Sequence, residues 1–283
     1  MIIGDTYNAH RCKYSLVCSN DNVDYDVFPF LRDAQGAEKM YLISPEHGRS
    51  YLVSKMKDGR FVISKGNGLC YSQYRFINTG EMGYGTWGML LKEDAIRDYN
   101  NGLLASSYGI KTNRMHCVVE LDEQVVLSTS PYSVIKPALL QYDVECPYRI
   151  SDTPFIPRSI ICEEIKNWKS ILPIDAPKHV IAAEILISNL EILHAHGFLH
   201  NAITVQNYSW ALELLDFEMA SSPMFPYDED TTSETVFSLF NRELLHTYQI
   251  IIFIAKVLRE KVDYREIDEM FCKHGMDLHC LAV

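Results

Sequence analysis

The chain has 283 residues, of which 47% are hydrophobic, and 26 Lys and Arg against 37 Asp and Glu give a formal net charge of −11. This composition is typical of a folded globular protein and excludes a largely disordered chain. The acidic balance, with no cluster of basic residues, argues against nucleic acid as a partner, because binding to nucleic acid depends on Lys and Arg that neutralise phosphates.

Residues 1–150 are predicted to form a β-rich domain. Short alternating or β-branched runs indicate strands, which we expect to belong to one sheet. These runs lie at residues 51–53, 60–64, 116–120 and 124–127. A helical pattern over residues 90–108 ends before Gly109, a residue type that commonly terminates helices. The first domain is therefore predicted as a sheet with one principal helix.

Residues 151–283 are predicted to form a second, mostly helical domain. Five prolines between residues 146 and 177 indicate a connection rather than a continuing element. Apolar residues at helical spacing predict a core helix over residues 178–196, followed by a short apolar strand at 211–215. Two further helical patterns lie at about residues 239–259 and 263–273.

The sequence contains no pattern that indicates secretion or membrane insertion. Its first residues lack a basic segment followed by a long apolar run, and the strongest apolar stretch, at 250–258, is far shorter than the roughly 20 residues that span a bilayer. The eight cysteines are scattered without a disulfide framework, as expected of reduced intracellular thiols. We therefore expect no membrane span and a cytoplasmic location, in the producing cell or in a host cell.

The segment from Leu193 to Glu218 carries the clearest chemical pattern. A long apolar helix ends at a glycine, and a loop that begins at His200 leads to Asn207, then to a short apolar run that ends at Asp216. This order resembles the catalytic and metal-binding segment of protein kinases, in which a loop Asn and a strand-end Asp bind Mg²⁺ on nucleotide phosphates. The pattern predicts that Asn207 and Asp216 bind a divalent metal through their oxygen atoms.

Two features of this segment depart from protein kinases. Ala202 stands where a kinase carries its catalytic Asp, and only nine residues separate Asn207 from Asp216. Both features resemble selenoprotein O, a kinase-like family that transfers AMP, rather than phosphate, to protein hydroxyl groups.

Further matches to that family lie in the first half. The Lys65-Gly-Asn-Gly68 run resembles the family's Lys-Gly-x-Gly strand end. Residues 96–99 and 109–114 resemble its Ile-Arg-Glu-Phe helix and the Gly-Ile-Pro-Thr-Thr-Arg turn that follows. Lys136 stands where the family has a phosphate-binding Arg. The matches occur in the family's order and together cover under half of the chain.

The resemblance implies a two-lobed, protein-kinase-like α+β fold that binds ATP and Mg²⁺ or Mn²⁺ in the cleft between lobes. Lys65 would contact the nucleotide phosphates and pair with Asp98 on the neighbouring helix. Gly66, Asn67 and Gly68 would lie against the phosphates, and Lys136 would add a second positive charge. The implied reaction is transfer of AMP from ATP to a Ser, Thr or Tyr hydroxyl of a protein.

One difference from the family leaves the activity open. Gln206 stands where the family has an Asp immediately before the metal-binding Asn, and Gln cannot accept a proton at neutral pH. His200 is expected to support the loop through hydrogen bonds rather than transfer protons. Two alternatives therefore stay open: a phosphotransferase that uses the same residues, and a nucleotide-binding pseudokinase that acts as an interaction module.

Overall fold

The protein has a mixed α+β structure with a large antiparallel sheet and several helices. The computed structural model describes residues 5–42, 49–68, 88–127, 133–169, 171–173, 175–227 and 231–276. The chain divides into two compact units, one formed by Met1–Leu103 with Asn113–Tyr148, the other by Leu104–Thr112 with Arg149–Val283.

The first unit is built on an antiparallel sheet of eight strands in the order β2-β7-β10-β6-β5-β4-β1-β3. The strands of this unit are β1 Asp5–Arg11, β2 Tyr14–Ser19, β3 Phe30–Arg32, β4 Glu38–Leu42, β5 Ser50–Lys55, β6 Phe61–Lys65, β7 Arg114–Leu121, β8 Val125–Leu127, β9 Ser133–Ile135 and β10 Ala138–Val144. All seven residues of β10 are buried, as expected for a strand paired on both sides within the sheet.

Three of the four predicted strand runs lie in this sheet, as β5, β6 and β7. The prediction that all four share one sheet is wrong for residues 124–127. Val125 pairs with Ile135, so β8 and β9 form a separate two-stranded sheet. The sequence pattern identifies strands but not their partners, which explains this error.

The predicted helix of the first half is present as α1, Lys92–Ser107. Glu93 and Asp94 lie in its first turn, where negative charge is favourable. Gly109 follows it with a φ of 86°, a left-handed conformation that glycine adopts without strain. The expected glycine termination is thus confirmed.

A buried ionic cluster joins β7 and β10 in the first unit. The side chain of Asp143 is fully buried and accepts hydrogen bonds from Arg60, from Arg114 Nε at 2.8 Å and from His116 Nε2 at 2.6 Å. Burial alone would raise the pKa of Asp143, but the hydrogen bonds from His116 and Arg60 outweigh it and lower the pKa. Asp143 is therefore a carboxylate at neutral pH.

The regular elements among the described residues of the second unit are helices, beside a few isolated β-bridges. Its helices are α2 Arg158–Glu164, α3 Lys178–Ala195, α4 Ser233–Leu258 and α5 Tyr264–Lys273. Buried residues occur on most sides of α3, which agrees with the predicted core helix. No helix in the described ranges combines the length and the apolar character that a bilayer crossing requires.

Two predictions for this unit need correction. The stretch 146–177 is not only a connection, since it contains α2; Pro157 immediately precedes α2, a position where proline is compatible with a helix start. Helix α4 begins at Ser233 rather than at about 239, because the Thr232 side chain accepts a hydrogen bond from the Thr235 N–H and caps an earlier start.

The predicted strand at 211–215 is absent. Leu214 forms only isolated bridges, one to Thr112 and one to Tyr208. Leu212 and Asp216 have positive φ values of 58° and 69°, so the extended backbone is interrupted on both sides of this residue. The run is apolar because it is buried, not because it belongs to a sheet.

Candidate functional site

The first unit contains a fully buried ion pair between Lys65 and Asp98. Lys65 is the last residue of β6, and Asp98 lies on α1. The Lys65 Nζ atom donates a hydrogen bond to Asp98 Oδ2 at 2.6 Å, and each side chain is only 1% exposed. The structure therefore contains the ion pair that the resemblance to selenoprotein O implies.

Burial makes this pair costly for the fold. Removing a carboxylate and an ammonium from water has a desolvation cost of several kcal/mol per ion, which their attraction offsets only in good geometry. Apolar residues of similar size often serve stability equally well. A buried Lys–Asp pair is therefore weak evidence for a stabilising role and stronger evidence for a functional one.

The turn after Lys65 is occupied by bonds within the protein. The N–H of Gly66 donates to Arg49 O at 2.8 Å, and the N–H of Gly68 donates to Gly88 O at 3.0 Å. The fully buried Asn67 donates through Nδ2 to Phe30 O at 2.6 Å. Phosphate binding by these three residues stays a prediction, and it would have to coexist with these bonds.

Lys136 lies between β9 and β10, on the segment that leads into the strand next to β6. Its side chain is exposed, and it is not a member of the Lys65–Asp98 ion pair. An exposed lysine at this position is accessible to an anionic ligand. Its expected role with phosphate stays a prediction.

The loop that begins at His200 is held from inside the second unit. His200 is fully buried, its Nε2 donates to Leu215 O at 2.9 Å, and its ring meets that of Phe217 edge to face at 5.0 Å. These contacts link the start of the loop to the residues on both sides of Asp216. The predicted supporting role of His200 is confirmed.

Glu243 on α4 fixes the same loop from the other side. Its buried carboxylate accepts the backbone N–H of Asn201 at 2.5 Å and bonds His194 Nε2 at 2.9 Å. Asn201 has a φ of 65°, a conformation unusual for a residue other than glycine. The two bonds to the buried Glu243 side chain therefore help to hold the loop in this conformation.

Asn207 and Asp216, the two predicted metal ligands, are joined through the backbone and through Arg149. The N–H of Leu215, the residue before Asp216, donates to Asn207 O at 2.9 Å. Arg149 Nη1 donates to Asn207 Oδ1 at 3.1 Å and to Gln206 O at 2.7 Å, and it lies 4.0 Å from Asp216 Oδ2. The Asn207 Nδ2 atom donates to Ala202 O at 2.9 Å.

The donor types of Asn207 and Asp216 fit Mg²⁺ or Mn²⁺. A carboxamide oxygen and a carboxylate are hard ligands, and these metals commonly take only one or two protein ligands when phosphates complete the shell. The Nδ2 bond to Ala202 O identifies Oδ1 as the acceptor atom of the Asn207 amide, and this atom already accepts a hydrogen bond from Arg149. A metal bound to Oδ1 would lie close to the Arg149 guanidinium and compete with it.

A general base is not evident among the loop residues. Ala202 and the exposed Gln206 cannot accept a proton at neutral pH. Burial, and secondly the charge of Glu243, raise the pKa of the neighbouring Tyr208, so its phenol stays neutral. Glu218 is a carboxylate close to a predicted metal ligand, because one of its oxygen atoms lies within 4.8 Å of an oxygen atom of Asp216.

Sequence reasoning missed Arg149 and Glu243. Each is distant in sequence from the loop that it contacts, by 58 residues for Arg149 to Asn207 and by 42 for Glu243 to Asn201. Arg149 belongs to the proline-rich stretch interpreted only as a connection. No local spacing indicates such contacts, although a glutamate within the largely apolar pattern of α4 is a possible signal.

Comparison of the sequence with models of protein families, and with curated proteins, finds no match. The functional interpretation therefore depends on the residues and their contacts.

Proposed function

We propose that the chain is an ATP- and divalent-metal-dependent transferase of protein-kinase-like, two-lobed fold that moves AMP from ATP to a hydroxyl group of a protein. The acceptor is a Ser, Thr or Tyr side chain. The hydroxyl oxygen forms a bond to the α-phosphorus of ATP, the bond between the α- and β-phosphates breaks, pyrophosphate leaves, and the hydroxyl proton passes to a base or to water.

The observation that carries this proposal is the Lys65–Asp98 ion pair. A lysine at a strand end that is held in place by a carboxylate on the helix that follows is the arrangement that positions a lysine for nucleotide phosphates in kinases. The desolvation cost of the pair is difficult to explain by stability alone. In the proposal, Asp98 orients Lys65, and Lys65 binds a phosphate oxygen of ATP.

Asn207 and Asp216 are the proposed metal ligands. In the proposal they bind Mg²⁺ or Mn²⁺, which neutralises phosphate charge as the transfer proceeds. The chain itself holds both oxygen ligands in place. His200 and, from α4, Glu243 bond to the segment that carries them, and the Leu215 N–H donates to the backbone oxygen of Asn207. Positioning and charge stabilisation supply most of the rate in transfers of this class, so a weak base slows the reaction without abolishing it.

To test this, the full chain is incubated with Mg²⁺ or Mn²⁺ and labelled ATP in two separate reactions. The label is at the α-phosphate in one reaction and at the γ-phosphate in the other. Mass spectrometry of the chain and of a generic protein acceptor then identifies the adduct. The proposal predicts retention of the α-label with the mass of AMP. Retention of the γ-label alone contradicts AMP transfer and establishes a phosphotransferase instead.

Matched variants connect the activity to the residues. Asp216→Asn keeps the size of the side chain and removes its charge, so it should lower transfer by about 100-fold or more, as expected for loss of a charge-stabilising group. Lys92→Met is the control, because Lys92 is a half-exposed lysine on the same helix as Asp98 that pairs only weakly, at 3.5 Å, with Glu120. Equal loss in both variants would contradict the assigned roles.

A pseudoenzyme is the second candidate, and the Arg149 contact favours it. A guanidinium bonded to Asn207 Oδ1 and 4.0 Å from Asp216 supplies within the chain the positive charge that a metal would bring. Ala202 and Gln206 provide no base. ATP binding without metal and without transfer of either label would support this candidate against the first.

A further inference from the structure

A second group of chemically active side chains lies in the first unit, away from the residues discussed so far. His10, Cys12 and Glu123 each contribute one ligand atom, and the three atoms all lie within 4.8 Å of one another. The His10 Nε2 atom is 2.7 Å from Glu123 Oε1 and 3.6 Å from Cys12 Sγ. One nitrogen, one sulfur and one oxygen atom thus lie close enough together to bind the same metal ion.

The sheet fixes this arrangement. His10 is near the end of β1 and is paired with Leu31 of β3, while Cys12 follows two residues later, so that both side chains project from the same face of an extended segment. The N–H of Asp122 donates to Lys13 O at 3.0 Å, which brings the chain beyond β7 against the chain beyond β1. His10 is thus held by strand pairing, Cys12 by its own N–H, which donates to Pro29 O at 2.8 Å, and Glu123 by the bond of the preceding residue.

One of the separations already fits a tetrahedral zinc site, and a second lies close to it. Zinc binds His nitrogen and carboxylate oxygen at about 2.0–2.2 Å and Cys sulfur at about 2.3 Å, which places neighbouring ligands about 3.3–3.8 Å apart. The sulfur–nitrogen distance of 3.6 Å already lies in this range. The Nε2–Oε1 distance of 2.7 Å is that of a hydrogen bond, and a small rotation of the exposed Glu123 side chain widens it.

The outer contacts of His10 also suit a metal ligand. Its Nδ1 atom is buried and makes no hydrogen bond among the described residues, and the nearest carboxylate oxygen, Asp33 Oδ2, lies 3.4 Å away, while Nε2 faces Cys12 and Glu123. Histidine ligands in metal sites characteristically have such a carboxylate on the other ring nitrogen. An ordinary surface ion pair between His10 and Glu123 requires neither this carboxylate nor a buried thiol.

We propose that His10, Cys12 and Glu123 bind a zinc ion, with Asp33 as the residue that positions His10. The mixed nitrogen, sulfur and oxygen set suits borderline metals such as Zn²⁺ and not Mg²⁺. Cys12 is buried, while the side chains of His10 and Glu123 are 35% and 39% exposed, which gives the ion a path of entry. Three protein ligands leave the fourth position to water or to an external ligand.

The test is titration of the metal-stripped full chain with Zn²⁺ by calorimetry, and with Co²⁺ by absorption spectroscopy. The proposal predicts one saturable zinc site with a Kd of about 1 μM or tighter. It also predicts a thiolate-to-cobalt charge-transfer band, because Cys12 is the sulfur ligand. Absence of saturable zinc binding overturns the proposal.

Variants separate this site from adventitious binding by the other thiols and histidines. Cys12→Ser should remove the charge-transfer band, whereas Cys18→Ser, which changes a partly buried cysteine on the nearby β2, should retain it. Should Cys12→Ser misfold, Glu123→Gln at the exposed rim provides a second test, and Asp33→Asn should weaken zinc binding about 10–100-fold. Equal affinity in the wild type, Glu123→Gln and Asp33→Asn would refute the assignment.

Discussion

The buried Lys65–Asp98 pair gives a quantitative prediction that separates stability from function. Lys65→Met and Asp98→Leu each remove one charge and roughly preserve volume. Each single variant leaves the opposite charge in a site where the wild-type side chains are 1% exposed, so each should lose about 3–5 kcal/mol of unfolding free energy. The double variant leaves neither charge, so its free energy of unfolding should be within about 1 kcal/mol of the wild-type value or higher than it.

The measurement is urea unfolding of the full chain, followed by hydrogen exchange at the amides of β6 and α1. Hydrogen exchange is needed because tryptophan fluorescence would combine the signal of Trp87 with those of Trp168 and Trp210, which lie in the second unit, and would not report on β6 and α1 specifically. Lys92→Met is again the control and should cost no more than about 1 kcal/mol, since its ion pair is partly exposed.

Two results would refute this reasoning. A loss below about 1 kcal/mol in both single variants would mean that the pair is not buried in solution as the structure has it. A double variant as unstable as the sum of the single variants would mean that Lys65 and Asp98 are not coupled. Under the proposal, the double variant is folded but no longer binds ATP.

Three further predictions concern other parts of the chain. Asp143→Asn should cost about 1–3 kcal/mol, because the side chains of Arg60 and Arg114, which are 17% and 38% exposed, lose their charged acceptor. Because the pKa of Asp143 is lowered in the folded protein, the wild-type contribution is present at neutral pH and should be lost as the pH falls below the unfolded-state pKa of about 3.9, which acid unfolding of both proteins would measure. Gly66→Ala should lower the free energy of unfolding by more than about 1 kcal/mol, because φ at Gly66 is 101° and the new Cβ would lie 2.7 Å from the Ala138 carbonyl oxygen. Thermal unfolding measures this loss, and an unchanged stability would contradict the geometry. Arg149→Gln removes a cation that competes for Asn207 and Asp216, so it should raise the affinity for Mn²⁺ about tenfold, which is about 1.4 kcal/mol. Calorimetric titration measures this, and unchanged or weaker binding would show that Arg149 does not compete.

The parts of the structure that sequence predicts well depend on local patterns. The α3 helix is recognisable from its apolar spacing, and α1 from its spacing and its terminal glycine. The Lys65–Asp98 pair joins residues 33 apart, and its prediction came from the resemblance to selenoprotein O rather than from a local pattern. Local pattern thus determines element type but not this contact.

Other parts depend on tertiary pairing that no local pattern encodes. Strand β1 carries mostly polar residues and only Ala9 is fully buried among those with a described side chain, so its period-two signal is weak. Arg149 reaches Asn207 across 58 residues, and β8 leaves the main sheet because of its pairing with β9. The zinc proposal likewise required β1 and the end of β7 to be brought together by the fold.

Under the proposed function, Lys65 and Asp216 bind one nucleotide together with a divalent metal, and the first experiment is calorimetric titration of the full chain with ATP and Mn²⁺. The wild type should show one saturable, metal-dependent site. The folded Lys65→Met/Asp98→Leu double variant and Asp216→Asn should show no measurable binding. Binding that is unchanged in both variants, or absent from the wild type with either Mn²⁺ or Mg²⁺, would rule out the proposed function.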